Sequence, residues 1–277
     1  MLADLAAAFG IGLLVGVLSA LAGIGGGAVM VPFLYLMYSR TGVSLDAQTV
    51  AAHATSLGVA FVTAVIGTVR YARVGAIRWR PALIYGLPGT LSAFLAARVV
   101  AAAGEARWIR SAFGLFLIVS ALDMIRRAIH HDSRAVGRDS PAVSGTSTLL
   151  LGLFGVVSGM LAGVLGVGGG VLAVPTFLYV ARLNVKDLAP SALAAVCLAT
   201  FFGVAGYLTA GPAPPVSPFM IGFVDFRMAA ALTIGAAGTV PLGVRLQRMA
   251  SPSVLQWCFA VLFAALGVRL AWQGFHG

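Results

Sequence analysis

Charge is what this chain has least of. Only 9% of its 277 residues are Asp, Glu, Lys or Arg, where a soluble domain carries roughly 25%. With 60% of the residues apolar and a mean hydropathy of +1.00, too little polar side chain is left to cover a water-facing surface, which excludes a soluble domain of any size. Acids number eight, too few for a buried two-carboxylate site. The two cysteines, Cys197 and Cys258, both fall inside apolar stretches and read as small packing residues, neither a disulfide nor a metal site. No G-x-x-x-x-G-K-[ST] occurs, hence no sign of an ATP-driven stroke within the chain. H-E-x-x-H, C-x-x-C and G-x-S-x-G are missing as well, so we expect no enzyme, no metal and no cofactor. The opening Met1-Leu2-Ala3-Asp4 lacks a basic stretch, which argues against a cleaved signal peptide.

The charge that remains is mostly of one sign. Eighteen basic residues against eight acids give a net charge of +10, and every base except Lys186 is Arg. In a soluble protein that balance would point to nucleic acid. Here Arg70, Arg73, Arg78 and Arg80 crowd one loop between apolar stretches, and Arg126, Arg127, Arg134 and Arg138 crowd a central linker. The positive-inside bias and attraction to anionic lipid account for this placement, so the expected partner is the bilayer and no nucleic acid. By contrast, Gly211-Pro212-Ala213-Pro214-Pro215-Val216-Ser217-Pro218 has no basic residue and reads as an external loop. The sequence carries no signal for oligomeric state.

Predominantly apolar stretches fall at about 5–22, 26–38, 49–69, 81–103, 111–128, 146–165, 169–181, 189–209, 227–246 and 254–272. Several are long enough to cross ~30 Å of hydrocarbon. Those at 26–38 and 169–181 are too short, and read as half-helices or as arms of re-entrant hairpins. The predicted fold class is an all-α polytopic membrane protein of about 8–10 transmembrane segments, broken at its centre. Residues 1–129 form a first membrane repeat, 130–145 a cytoplasmic linker and 146–277 a second repeat. His130 and His131 in that linker read as polar loop. Trp79, Trp108, Trp257 and Trp272 lie near segment ends, as interfacial anchors do.

The repeat rests on one motif. Gly23-Ile24-Gly25-Gly26-Gly27-Ala28-Val29-Met30-Val31-Pro32 recurs half a chain later as Gly166-Val167-Gly168-Gly169-Gly170-Val171-Leu172-Ala173-Val174-Pro175. Each glycine costs a helix about 1 kcal/mol relative to Ala, and irregular backbone at membrane depth is tolerated only where protein or a cavity surrounds it. A paired break in two halves is the strongest sequence pointer to a transporter's binding site. If each break leaves and re-enters on one face, the basic loops all become cytoplasmic and the two repeats are inverted. Short helices starting near Gly27 and Gly170 then present amide groups and positive dipole ends, which suit an anion's oxygens. The substrate-binding candidates are therefore Gly25, Gly26, Gly27, Gly168, Gly169 and Gly170. The competing reading is that the glycines serve only close helix packing.

Other positions gather around this motif. Pro32 and Pro175 hold matching places, each removing an amide donor and shaping its helix. Ala54-Thr55-Ser56-Leu57-Gly58 loosely matches Ala199-Thr200-Phe201-Phe202-Gly203, so Thr55, Ser56 and Thr200 are candidate hydroxyl donors to substrate. The alternative is that each hydroxyl bonds its own helix's carbonyl. Ser19 and Ser158, just before the breaks, are weaker candidates. His53 is the one histidine in an apolar stretch, which makes it a candidate for proton coupling, or else a residue wetted at the interface. Arg98 and Arg245 occupy matching helix ends. They either draw anions toward the two faces or snorkel to the interface. Asp123, a helical turn before Arg126 and Arg127, reads as a local ion-pair partner.

Through both Gly-x-Gly-Gly-Gly–Val-Pro motifs, the Ala54-Thr55-Ser56-Leu57 stretch and the Gly-x-Arg ending at Arg245, the chain resembles the sulfite exporter TauE/SafE family across about residues 8–272. The resemblance implies a multi-pass permease of the bacterial cytoplasmic (inner) membrane for sulfur-containing anions such as sulfite, sulfoacetate or related organosulfonates. The second copy departs in having Thr200-Phe201 where the first has Thr55-Ser56. The expectation is a secondary transporter exporting a small sulfur-containing anion by alternating access. A passive anion channel, or a membrane subunit anchoring a partner enzyme, are the rival expectations. Loop charge generates a direct check. Ala76→Cys should react with an impermeant maleimide only after cells are opened, and Ala213→Cys should react on intact cells; reaction of both from one face would overturn the loop assignment.

Overall fold

A computed structural model of the chain describes residues 2–103, 145–211 and 216–249, with isolated positions between 111 and 126 and between 251 and 272. Trp108, Asp123, Arg127, His130, His131, Arg134, Arg138 and Cys258, and the linker before Gly145, lie outside the described residues. The first half comprises α1 (Leu2–Ala22), α2 (Gly27–Tyr38), α3 (Leu45–Arg73) and α4 (Trp79–Ala103). The second comprises α5 (Gly145–Leu165), α6 (Gly170–Tyr179), α7 (Val185–Leu208) and α8 (Phe226–Met249). A two-stranded hairpin precedes α8, with β1 (Met220–Ile221) antiparallel to β2 (Val224–Asp225). Among the described residues six helices are long and apolar enough to cross a membrane, while α2 and α6 are shorter. The chain is an all-α polytopic membrane protein. Eight of the ten apolar stretches thus appear as helices, and 111–128 and 254–272 fall mainly outside the described residues. The hairpin was not expected from the sequence.

Local chemistry explains the helix ends. Ser44 caps α3 by accepting from the Ala47 amide at 3.4 Å. Asp46 sits in its first turn and Arg70 and Arg73 in its last, each charge matching the dipole end beside it. Pro32 and Pro175 lie inside α2 and α6, where each leaves a carbonyl one turn earlier without its usual amide.

Burial separates centre from periphery. The apolar windows of α3 and α7 are 72% and 67% buried, against 33–39% for the other four long helices. The outer helices show lipid-facing stripes instead, as with Leu83, Leu87, Leu91 and Leu95, all exposed on one face of α4. The central pair runs antiparallel: a Cβ at Gly67 would strike Leu193, and one at Gly203 would strike Leu57.

Around that pair the contacts are reciprocal between halves. The first helix of each half lies parallel to the last described long helix of the other. A Cβ at Gly12 or Gly16 in α1 would enter the carbonyls of Leu232 or Ala236 in α8. A Cβ at Gly155 or Gly159 in α5 would enter those of Tyr85 or Gly89 in α4. Buried Tyr71 donates to the Ala20 carbonyl at 2.9 Å, and buried Tyr207 to the Gly163 carbonyl at 2.6 Å. Small residues let backbones approach this closely, which in lipid replaces the missing hydrophobic drive between helices. Arg40, after α2, lies 3.9 Å from Asp4 at the start of α1. Helix α1 and the shorter α2 therefore form a hairpin whose two outer ends meet on one face.

Gly159→Val should lower the detergent unfolding midpoint sharply, since overpacking costs roughly 1–3 kcal/mol even where neighbours yield. Gly238→Ala, whose Cβ meets nothing within 4 Å, should leave it unchanged or raise it. Equal midpoints for the two variants would overturn the close α4–α5 contact.

Candidate functional site

The two glycine motifs meet at the centre of the bundle. Gly23, Gly25 and Gly26 have φ of 69, 75 and 77°, and Gly166, Gly168 and Gly169 have 67, 79 and 75°. This left-handed backbone is open to glycine at little cost and strained for other residues. The fourth glycine of each motif is required by space and not by φ. A Cβ at Gly27 would strike the Val167 backbone, and one at Gly170 would strike the Ile24 backbone. Each short helix therefore starts against the break of the opposite half.

These starts are rich in donors. Among the described residues no hydrogen bond takes up the amides of Gly25, Gly26, Gly27 and Ala28, or of Gly168, Gly169, Gly170 and Val171. All eight residues are nonetheless buried or nearly so. Three serines sit close by. Ser56 donates to the Gly166 carbonyl at 2.8 Å, Ser158 to the Gly169 carbonyl at 2.8 Å, and Ser19 to Thr63 at 3.5 Å. Ser56 thus reaches a break, but the one belonging to the other half.

The threonines are placed differently from the sequence expectation. Thr200 donates to the Val196 carbonyl at 2.7 Å, on its own helix; only its methyl group approaches Gly168. Thr55 lies away from the breaks, accepting from the Asp225 amide at 2.9 Å and lying 3.4 Å from the Tyr38 hydroxyl. The two are not counterparts. Ser191 of α7 accepts from the Arg78 amide at 2.9 Å, so the residue that plays Thr55's part in the second half is Ser191. The sequence match at Thr200 failed because the third helices correspond through Tyr71 with Tyr207 and Gly67 with Gly203, a register that places Thr200 opposite Ala64.

His53 is fully buried, not wetted at an interface. Its Nε2 pairs with the Tyr35 hydroxyl of α2, and its backbone abuts Gly166. Arg98 is exposed and donates to the Thr209 carbonyl at 3.0 Å, while Arg245 is exposed on α8. Neither Arg98 nor Arg245 enters the core around the breaks.

One buried acid escaped the sequence reading. Asp225 has no exposed surface. Its carboxylate accepts from the amides of Arg227 and Met228 at 3.0 and 3.2 Å and from the Tyr38 hydroxyl at 3.4 Å. It caps α8 and joins the hairpin to α2 and α3. The signal was present as an acid immediately before an apolar helix, Asp225-Phe226-Arg227-Met228. Among the described residues no group of three His, Cys, Asp or Glu side chains gathers as a metal site would need.

Comparison with known proteins bears on this geometry. The family model described as sulfite exporter TauE/SafE matches residues 8–270. A probable membrane transporter protein of Methanocaldococcus jannaschii is 27% identical over 258 residues, which cover 93% of this chain and 92% of that protein. A probable membrane transporter protein of Bacillus subtilis is 27% identical over 121 residues, 43% of each chain. No solved structure matches.

Asp225→Ala removes a helix cap and the partner of Tyr38, and should cost roughly 0.5–2 kcal/mol, the usual range for a lost cap. Asp225→Asn keeps an acceptor and should recover most of it. Thermal unfolding in detergent measures both, and an alanine variant as stable as wild type would remove Asp225 from the account.

Proposed function

The chain belongs to the sulfite exporter TauE/SafE family and is a multi-pass membrane transporter, and we propose that it exports a small sulfur-containing anion, sulfite or an organosulfonate, across the cytoplasmic membrane of a bacterium. The observation that carries this reading is the back-to-back meeting of two buried helix starts whose amides are not taken up by the protein. Buried amides without partners cost about 1–3 kcal/mol each, and an anion's oxygens, drawn by the positive dipole ends, would satisfy them.

The reciprocal contacts support two inverted repeats acting as a carrier. In such a pair the same core can open toward either face at similar cost, because one half's arrangement mirrors the other's. The tight packing of the breaks favours a carrier over a passive channel. The buried Tyr35–His53 pair makes proton coupling a natural accessory, and Arg98 and Arg245 would concentrate anions at the two rims. An inside-negative potential contributes about 2.3 kcal/mol per elementary charge per 100 mV, enough to drive an anion outward. No enzymatic step and no partner enzyme belongs to this reading.

Purified protein in liposomes tests it. Radiolabelled sulfite and methanesulfonate should cross faster than in empty vesicles, with counterflow and with acceleration by a potential negative on the starting side. Gly26→Leu and Gly169→Leu should abolish the flux while still eluting as folded protein. Absence of flux for both anions would overturn the proposal, and a flux without counterflow would replace the carrier by a channel.

A further inference from the structure

The two breaks share a backbone but not their surroundings. Beside the second break, Tyr85 of α4, Ser158 of α5 and Thr176 of α6 supply hydroxyls. The matching positions beside the first break are apolar. The register follows from the contacts. Gly155 packs on the Tyr85 carbonyl as Gly12 packs on that of Leu232, and a Cβ at Gly169 would strike Ser158 as one at Gly26 would strike Val15. Thr176 directly follows Pro175, where Phe33 directly follows Pro32. Three hydroxyls on one side thus answer to Leu232, Val15 and Phe33 on the other.

Tyr85 is the informative member. It is 3% exposed, yet its hydroxyl has no hydrogen-bond partner. A buried tyrosine normally finds one. Phe177 holds the ring edge-on, with centroids 5.1 Å apart. Ser158 and Thr176 are the neighbouring hydroxyls, but neither meets the Tyr85 hydroxyl in bonding geometry; Ser158 donates to the Gly169 carbonyl and Thr176 to the Leu172 carbonyl. Tyr85, Ser158, Gly168, Gly89, Gly159 and Val196 line a crevice that is closed in this conformation, too tight for a water molecule, and none of its lining residues is charged. Gly168 brings to this crevice the start of the run of amides left open at α6.

Resting on the anion-transport reading above, we propose that the anion is held at the second break alone, once this closed crevice widens in the transport cycle, with the Tyr85 hydroxyl and the amides opening α6 donating to its oxygens. Ser158 is a positioning residue: its bond to the Gly169 carbonyl occupies an acceptor that would otherwise repel an anion. The donors are all neutral. Such a site suits a monoanion, because a second negative charge buried without a counter-charge is strongly penalised. The substrate class is therefore a monoanionic sulfonate or bisulfite, and sulfate as a dianion is rejected.

The test uses the full chain in detergent with methanesulfonate and sulfate as probes, read by direct binding and by thermal shift. Wild type should bind methanesulfonate at least roughly tenfold more tightly than sulfate. Tyr85→Phe should weaken methanesulfonate by roughly tenfold or more, the scale of a lost hydrogen bond to a charged group. Its ligand-free unfolding midpoint should stay level or rise, since the hydroxyl has no partner to lose. Leu232→Phe, at the mirrored position, should leave binding unchanged. If Tyr85→Phe does not fold, Ser158→Val, which imports the first break's residue, should weaken methanesulfonate instead. Wild-type binding unaffected by Tyr85→Phe and Ser158→Val, or sulfate bound as tightly as methanesulfonate, would overturn the one-sided monoanion site while leaving transport standing. Wild type that neither binds methanesulfonate nor moves sulfite would sink the transport reading itself.

Discussion

Everything in this molecule is arranged around backbone that has no partner. Eight consecutive-run amides, four at each break, sit in an apolar interior without hydrogen bonds from the described protein. Lipid would not permit this at the periphery. The breaks must lie at the centre, wrapped by helices that approach one another very closely. That requirement accounts for the glycines packed along α1 and α5 as much as for those in the motifs. It also accounts for the burial of α3 and α7, which serve as the walls against which the breaks are pressed.

The second theme is reciprocity of frame with inequality of lining. The halves exchange like contacts: Tyr71 with Ala20 against Tyr207 with Gly163, and Asp225 with Thr55 against Arg78 with Ser191. Chemistry does not follow the frame. Tyr35 and Tyr38 at the end of α2, and His53 of α3, stand where the second half has Leu178, Ala181 and Ala189. The hydroxyls of Tyr85, Ser158 and Thr176 stand at the second break where Leu232, Val15 and Phe33 stand at the first. One repeated motif is thus set among ionisable groups in one half and among neutral hydroxyls in the other.

How legible this was follows from which kind of information each feature needs. The breaks were plain in the sequence, because a run of glycines with a Val-Pro tail has few uses in an apolar chain and occurs twice. The half-helices and the long spans followed from length alone. The pairing of Thr55 with Thr200 misled, because local similarity of Ala-Thr strings outweighed the true register, which is set by Tyr71 and Tyr207 at the far ends of the same helices. Of the two readings of His53, the interfacial one fails because α2 and the second break cover it. Asp225 carried a capping signature that a run of prolines beside it obscured. Tyr85 carried no local signal at all: its significance lies in the absence of a partner, which only packing reveals.

One further consequence concerns the order in which the chain is made. Helix α1 is synthesised first, yet its closest partner is α8, which emerges nearly last. Contacts that join distant parts of a chain form slowly, and during that wait the glycine face of α1 has no neighbour from its own half to cover it. The first half of the protein is therefore incomplete by itself, because its break closes against Val167, Ala189 and Val196 of the second half. Among the described helices α8 is the one that covers this face, and a chain cut short before it would leave Gly12 and Gly16 of α1 open to lipid.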